Sequence, residues 1–235
     1  MKAPKKVYCL FEQSGNFKRV FAEQGIEAVD VDIENYFGQT DMQLDIFAEI
    51  DRCMQGEDTI FSAMDPDDLI MAFFPCTYFS SQSNLSMSFA SSNNVRLTKA
   101  EKYDTVTERA RQRFVYYTHL INLFRIAEQN KLRMIVENPW HCSYLRGNFI
   151  YSPSLIDYNR RLRGDSMRKP TAYWFVNCHP SRKYTTMEFT GITATIQNTR
   201  GIQRSLIAEK YARHFVLDYI LSRPDKNSQL NLFES

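Results

Sequence analysis

Glycine is scarce in this chain, with 8 among 235 residues, so each one marks a backbone requirement rather than filler. Paired cysteines are missing as well: the five cysteines, at 9, 53, 76, 142 and 178, are odd in number and show no Cys-x-x-Cys spacing. This pattern argues against a disulfide framework and a zinc knuckle, so no metal is expected, and it points to a reducing, cytoplasmic setting. No apolar run approaches the roughly 18 residues of a membrane span, and no membrane partner is expected. The basic start MKAPKK runs straight into a strand pattern, unlike a secretory signal. Charge of one sign does not dominate either. A net charge of +2 by itself says little about partners.

What is present is 43% hydrophobic and 24% charged residues, ordinary for a globular protein and enough for a full core. VYCLF (7–11), EAVDVD (27–32), DLIMAFF (68–74), LRMIVEN (132–138) and TAYWFV (171–176) read as strands. Helical patterns fall between them at 17–24, 45–54, 105–130 and 204–221. In the longest, Phe114, Tyr117, Ile121 and Phe124 recur at steps of three and four and predict its apolar face. The alternation predicts an α/β fold: a mostly parallel sheet with helices on both faces, one domain over 1–222 and a flexible tail over 223–235.

Ligands on such sheets sit at the carboxyl ends of the strands, which makes four strand ends informative. The first, FEQSGNF, carries a Ser14-Gly15 turn that lets backbone amides approach a ligand. The second ends in Asp32, 17 residues beyond Gly15, where adenosine-binding sheets hold ribose hydroxyls. Alone, each reads equally as a commonplace turn or a solvated carboxylate; together they favour an adenosine ligand. The third, MAFFPCTYFSS, places Cys76 behind Pro75 where a buried run stops. The fourth, IVENPW, puts Glu137 at the mouth of another. Taken singly, Cys76 also reads as a plain buried cysteine.

Phe-Pro-Cys at one strand end, Glu-Asn-Pro at the next and Phe-x-x-x-Gly at the first resemble the ordered motifs of the cytosine-5 DNA methyltransferases, over about residues 7–215. The short phage and bacterial members are the most similar, and RKPTAYW follows in them too. The resemblance implies a Rossmann-like fold that binds S-adenosyl-L-methionine through Phe11, Glu12, Ser14, Gly15, Asp32, Ile33, Asp45, Ile46 and Pro75. It also implies that QRSLIAEKYARHFV (203–216) closes the fold beside the cofactor. Cys76 matches the nucleophile that adds to C6 of cytosine, and Glu137 the carboxyl that holds N3 and the exocyclic amine. The base must then be flipped out of a duplex or already unpaired.

Three departures stand out. Gln13 replaces the usual second glycine, which is expected to crowd or re-aim the methionine end. The Gln-x-Arg-x-Arg strand is absent, leaving Arg168, with Lys169, as the substitute cation. The recognition domain is missing: only about twenty residues separate Asn177 from Gln197, too few for a domain. DNA contact is therefore assigned to the irregular segment 80–113 (Ser80, Ser81, Arg109, Arg113) and to the basic segment within 140–170 (Arg160, Arg161, Arg163, Lys169). Either basic cluster alone reads equally as a solvated face. With so little to read base edges, short or lax sequence preference is expected.

At the end of the chain, QLNLF (Gln229, Leu230, Leu232, Phe233) resembles the pentapeptide that docks on the bacterial β sliding clamp. Three readings follow: cytosine-5 methylation of DNA, the same adduct chemistry on RNA or a free pyrimidine nucleotide or with another transferred group, or a non-catalytic DNA- or clamp-binding module.

Overall fold

The computed structural model describes residues 1–91, 94–181, 187 and 206–222. Seven strands form one sheet: β1 Lys6–Leu10, β2 Glu27–Asp32, β3 Met42–Gln43, β4 Leu69–Phe73, β5 Arg133–Pro139, β6 Leu155–Asp157 and β7 Thr171–Val176. Their order is β3-β2-β1-β4-β5-β7-β6. The first five in chain order run parallel, and β7 alone is reversed, antiparallel to both β5 and β6. The helices are α1 Asn16–Glu23, α2 Ile46–Met54, α3 Ser81–Leu85, α4 Lys99–Gln129, α5 Ser143–Asn148 and α6 Glu209–Phe215, the last running into a π-helical turn, Val216–Leu221.

Side chains alternate across each strand, and here both sides are buried, so the strands read as continuous apolar runs. Tyr8, Leu10, Ile70 and Ala72 face a layer with Ile46 and Ile50 of α2 and Leu120, Leu123 and Phe124 of α4. Val7, Cys9, Leu69 and Met71 face Phe17 and Phe21 of α1 and Tyr211 and Phe215 of α6. Each such side chain removed from water contributes roughly 1.5–3 kcal/mol before ordering costs. The expected α/β sheet with helices on both faces is the one found.

Several boundaries differ. α4 starts at Lys99, not near 105, because Thr98 and Glu101 form a capping box in which the Thr98 N–H donates to Glu101 Oε2 at 2.7 Å. Its buried side matches the expected one at Phe124, with Tyr117 packed on the core, but not at its start. Phe114 is 64% exposed, and nothing before Arg113 is buried, since that half of the helix meets segment 80–98 instead of the sheet. Segment 80–113 is consequently no long loop. Nor is 140–170 a pure insertion, because β6 within it is the sheet edge, with Ile156 opposite Ala172. The last helix begins at Glu209, after an irregular Leu206–Ala208 stretch.

Candidate active site

The chain leaves β1 in one direction to β2 and β3 and in the other to β4 and β5, so the order reverses beside β1. At such a point the strand ends part, and a cleft opens outside their carboxyl ends. A cleft of about 460 Å³ lies there.

Its first wall is the turn after β1. Phe11 has a left-handed backbone (φ 59°), uncommon for a non-glycine residue, and its N–H donates to the Val31 carbonyl at 2.8 Å. The Glu12 carboxylate accepts from Ser14 N at 2.8 Å and from Ser14 Oγ, closing the turn. Gly15 precedes α1 at φ 73°, a left-handed conformation that favours glycine, while a Cβ there would meet only the movable side chains of Arg19 and Gln39. Gln13 lines the cleft, but its Oε1 accepts from Tyr36 N at 3.0 Å, which draws it toward the β2–β3 connection. Asn16 Nδ2 donates to the Ile207 carbonyl at 2.7 Å, and Leu206 lines the cleft; the closing segment lies beside the pocket as expected.

The second wall comes from β2 and α2. Asp32 lines the cleft and accepts from Glu34 N at 2.8 Å, with Ile33 exposed beside it. Asp45 caps α2 through Oδ1, accepting from Phe47 N at 3.0 Å and Ala48 N at 3.2 Å. That cap aims Phe47, which sequence reasoning missed. Its ring lies 5.4 Å from Phe11 and 4.9 Å from Tyr116 of α4, another unforeseen lining residue, while Ile46 is buried behind. The Asp45-x-Phe order was the available signal for Phe47; nothing local signalled Tyr116.

The third wall carries the chemistry. Pro75 (φ −55°) leads out of β4, and Cys76 opens a single 3-10 turn, Cys76–Tyr78. Glu137 on β5 pairs in register with Phe73, and Asn138 Nδ2 donates to the Phe74 carbonyl at 2.9 Å, tying the two strand ends together. Glu137 is 6% exposed, and its Oε1 is buried with no hydrogen-bond partner. Because β7 is reversed, its beginning reaches this same rim: Thr171 stands opposite Pro139, and Trp140 N donates to the Pro170 carbonyl at 2.9 Å. Lys169 thus lines the cleft with Cys76. Arg168, expected as the catalytic cation, is exposed and outside the lining, whereas its neighbour Lys169 is part of it.

Burial pushes the Cys76 thiol above its ordinary value; Lys169 opposes the rise and Glu137 adds to it. Burial likewise raises Glu12 and Asp32. Behind the turn, Asp30 is pushed up to about 7 by burial and then by the charge of Glu12. Among the described residues, the charged lining is four carboxylates, Glu12, Asp32, Asp45 and Glu137, against one ammonium, Lys169.

The expected DNA-contact residues are scattered. Ser80 caps α3, accepting from Ser83 N at 3.2 Å, and Ser81 is exposed on its first turn. Arg109 and Arg113 point inward and bond segment 78–94. Arg160 and Arg163 are corrected outright. They are buried, Arg160 Nε bonding Asp165 at 2.8 Å and Arg163 Nη2 bonding Asp218 at 2.7 Å, because a buried guanidinium needs a counter-charge. Arg161 is half-buried. Gln229, Leu230, Leu232 and Phe233 lie outside the described residues.

Among the described residues, no group of three or more His, Cys, Asp or Glu side chains is arranged to hold a metal ion, and no helix is long and apolar enough to cross a membrane. No protein-family model matches the chain, and no curated protein matches it.

Proposed function

We propose that this protein transfers a methyl group from S-adenosyl-L-methionine to C5 of cytosine in DNA through a covalent adduct between Cys76 Sγ and C6. The observation that carries this reading is one cleft at the sheet's reversal point that gathers Cys76, Glu137, Lys169 and the Gly15 turn.

The charge of the described lining supports this ligand class. Four carboxylates against one ammonium would repel the pyrophosphate of a dinucleotide and attract a cationic adenosine compound. The volume suits a ligand of that size. Asp32 would hold ribose hydroxyls, Ile33, Ile46 and Phe47 the adenine, and the Glu12–Gly15 turn the methionine end. When bound, S-adenosyl-L-methionine supplies an electrophilic methyl group on a sulfonium.

The chain's residues prepare the base. The Cys76 thiolate adds to C6, which makes C5 nucleophilic. The buried, unpartnered Glu137 Oε1 accepts from the exocyclic amine, and the carboxyl stabilises the charge that builds on the ring. After transfer the C5 proton leaves, and elimination of the thiolate restores the aromatic ring. Since burial keeps the thiol protonated, Lys169 supports the anion as it forms. Segment 80–98 next to Cys76, together with Arg161 and Lys169, is the DNA-facing side of this proposal. The tail motif QLNLF, if presented to a β sliding clamp, would tether the protein to replicating DNA.

The decisive experiment incubates the protein with tritiated cofactor and, in turn, duplex DNA, single-stranded DNA, RNA and dCMP. The expected outcome is label in DNA that Cys76→Ser abolishes. Label in RNA or dCMP alone would move the acceptor; no label with measurable cofactor binding would make this a binding module. For the tail, clamp pull-down that survives Leu232→Ala with Phe233→Ala would remove the tether.

A further inference from the structure

The backbone after Cys76 is anchored at its end by the buried ring of Phe79, but the turn between the two is short. The Cys76–Tyr78 turn is closed by one bond, Phe79 N to the Cys76 carbonyl at 3.0 Å, and three-residue 3-10 turns are marginal without outside support. The support comes from α4. Arg109, Arg113 and Tyr116 follow one another at steps of four and three, which puts them on one face. Arg113, 9% exposed, donates from Nε to the Tyr78 carbonyl at 3.0 Å and from Nη2 to Asn84 Oδ1 at 2.7 Å. Its guanidinium lies 5.0 Å from the centre of the Tyr144 ring. A turn earlier, Arg109 donates to the Ser86 carbonyl and to Asn94 Oδ1. A turn later, the Tyr116 ring meets the Tyr78 ring edge-on at 4.8 Å while lining the cleft.

The partners Arg113 bonds are a carbonyl and an amide oxygen, neither of them charged. A planar fork that reaches two acceptors on separate elements fixes geometry, which a flexible ammonium does less well. Pro75 sets the chain before the thiol; Arg113 sets it after. We propose that Arg113 is the positioning residue of this site: from α4 it holds the turn that aims Cys76 Sγ into the cleft, with Arg109 as a second point of attachment. This rests on the reading of Cys76 as the nucleophile.

The test compares the wild type with Arg113→Met, Arg113→Lys and Asn84→Ala. Three quantities are read: alkylation of Cys76 by iodoacetamide, followed by peptide mass spectrometry; methyl-transfer kcat and KM; and cofactor Kd. In Arg113→Met, cofactor Kd stays within about twofold. Misplacement of the thiol lowers kcat about 100-fold, and Cys76, freed from its turn, alkylates about tenfold faster. Arg113→Lys recovers part of both, because one donor still reaches the Tyr78 carbonyl. Unchanged alkylation and kcat in folded Arg113→Met would overturn the proposal. If that variant does not fold, Asn84→Ala, which removes the shorter bond and leaves the guanidinium in place, must show the same changes at smaller size, and their absence overturns it equally. Failure of the methyltransferase reading looks different: the wild type labels no acceptor, yet Cys76 alkylation still rises in Arg113→Met.

Discussion

Cys76 is a half-buried thiol, and its neighbours Lys169 and Glu137 pull its pKa in opposite directions. Removing the Lys169 ammonium raises the thiol's pKa further, so Lys169→Met should shift the rise of Cys76 alkylation to higher pH. Glu137→Gln should shift it to lower pH, and stopped-time alkylation across pH 7–10 reads both. Shifts of the same sign in the two variants would sink this account. Asp30 makes a second residue-level prediction, about stability. Its folded pKa, about 7, lies above the ordinary 3.8, so between those values the folded chain holds a proton that the unfolded chain has lost. Stability therefore falls as pH rises through this window, on the order of 4 kcal/mol in all, and stays low above it. Thermal melts should give a lower Tm at pH 8 than at pH 5, and Asp30→Asn should flatten the difference. Gly15 is the backbone counterpart: Gly15→Ala forces a left-handed alanine, costing about 1–2 kcal/mol, and should weaken cofactor binding by calorimetry.

At the scale of elements, direction matters more than composition. TAYWFV is legible as a strand, but nothing in six residues says that β7 runs backwards. That reversal brings the start of the strand, with Lys169, to a rim otherwise made of strand ends, which the carboxyl-end rule alone does not anticipate. Helix α4 teaches the same lesson. Its period was readable, but its apolar side could not be assigned until the partner of each half was known, so Phe114 was placed inward and Arg113 outward, the reverse of what is found. Within the basic run at 159–169, Arg160 and Arg163 turn inward for an allied reason: Asp165 follows nearby in sequence, whereas Asp218 arrives only through folding, on the C-terminal π-helical turn. Breaking that link removes the cation of a buried ion pair. Arg163→Met should cost about 3–5 kcal/mol in urea melts, far more than Arg161→Met at its half-buried site.

For the molecule as a whole, the cleft joins elements far apart in the chain, and a ligand that bridges them stabilises all of them together. At 100-fold excess over its Kd, S-adenosyl-L-methionine should add about 2.7 kcal/mol and raise Tm by roughly 5–10 °C. NAD, repelled by the four carboxylates, should produce no shift; an equal shift with NAD would refute the electrostatic selection. The sequence by itself determined the α/β class, the strands at β1, β2, β4, β5 and β7, the glycine turn, and the meeting of Cys76 with Glu137. These follow from apolar periodicity and from the rule that parallel strands end on one rim, both of which are local or nearly so. Only the tertiary structure decided the hand of β7, the inward clamp of Arg109 and Arg113, the burial of Arg160 and Arg163, and the aromatic wall of Phe47 and Tyr116. The reason is physical: a charge or a ring in a chain has no address until its partner arrives, and most of these partners lie far along the chain or in another layer of the fold.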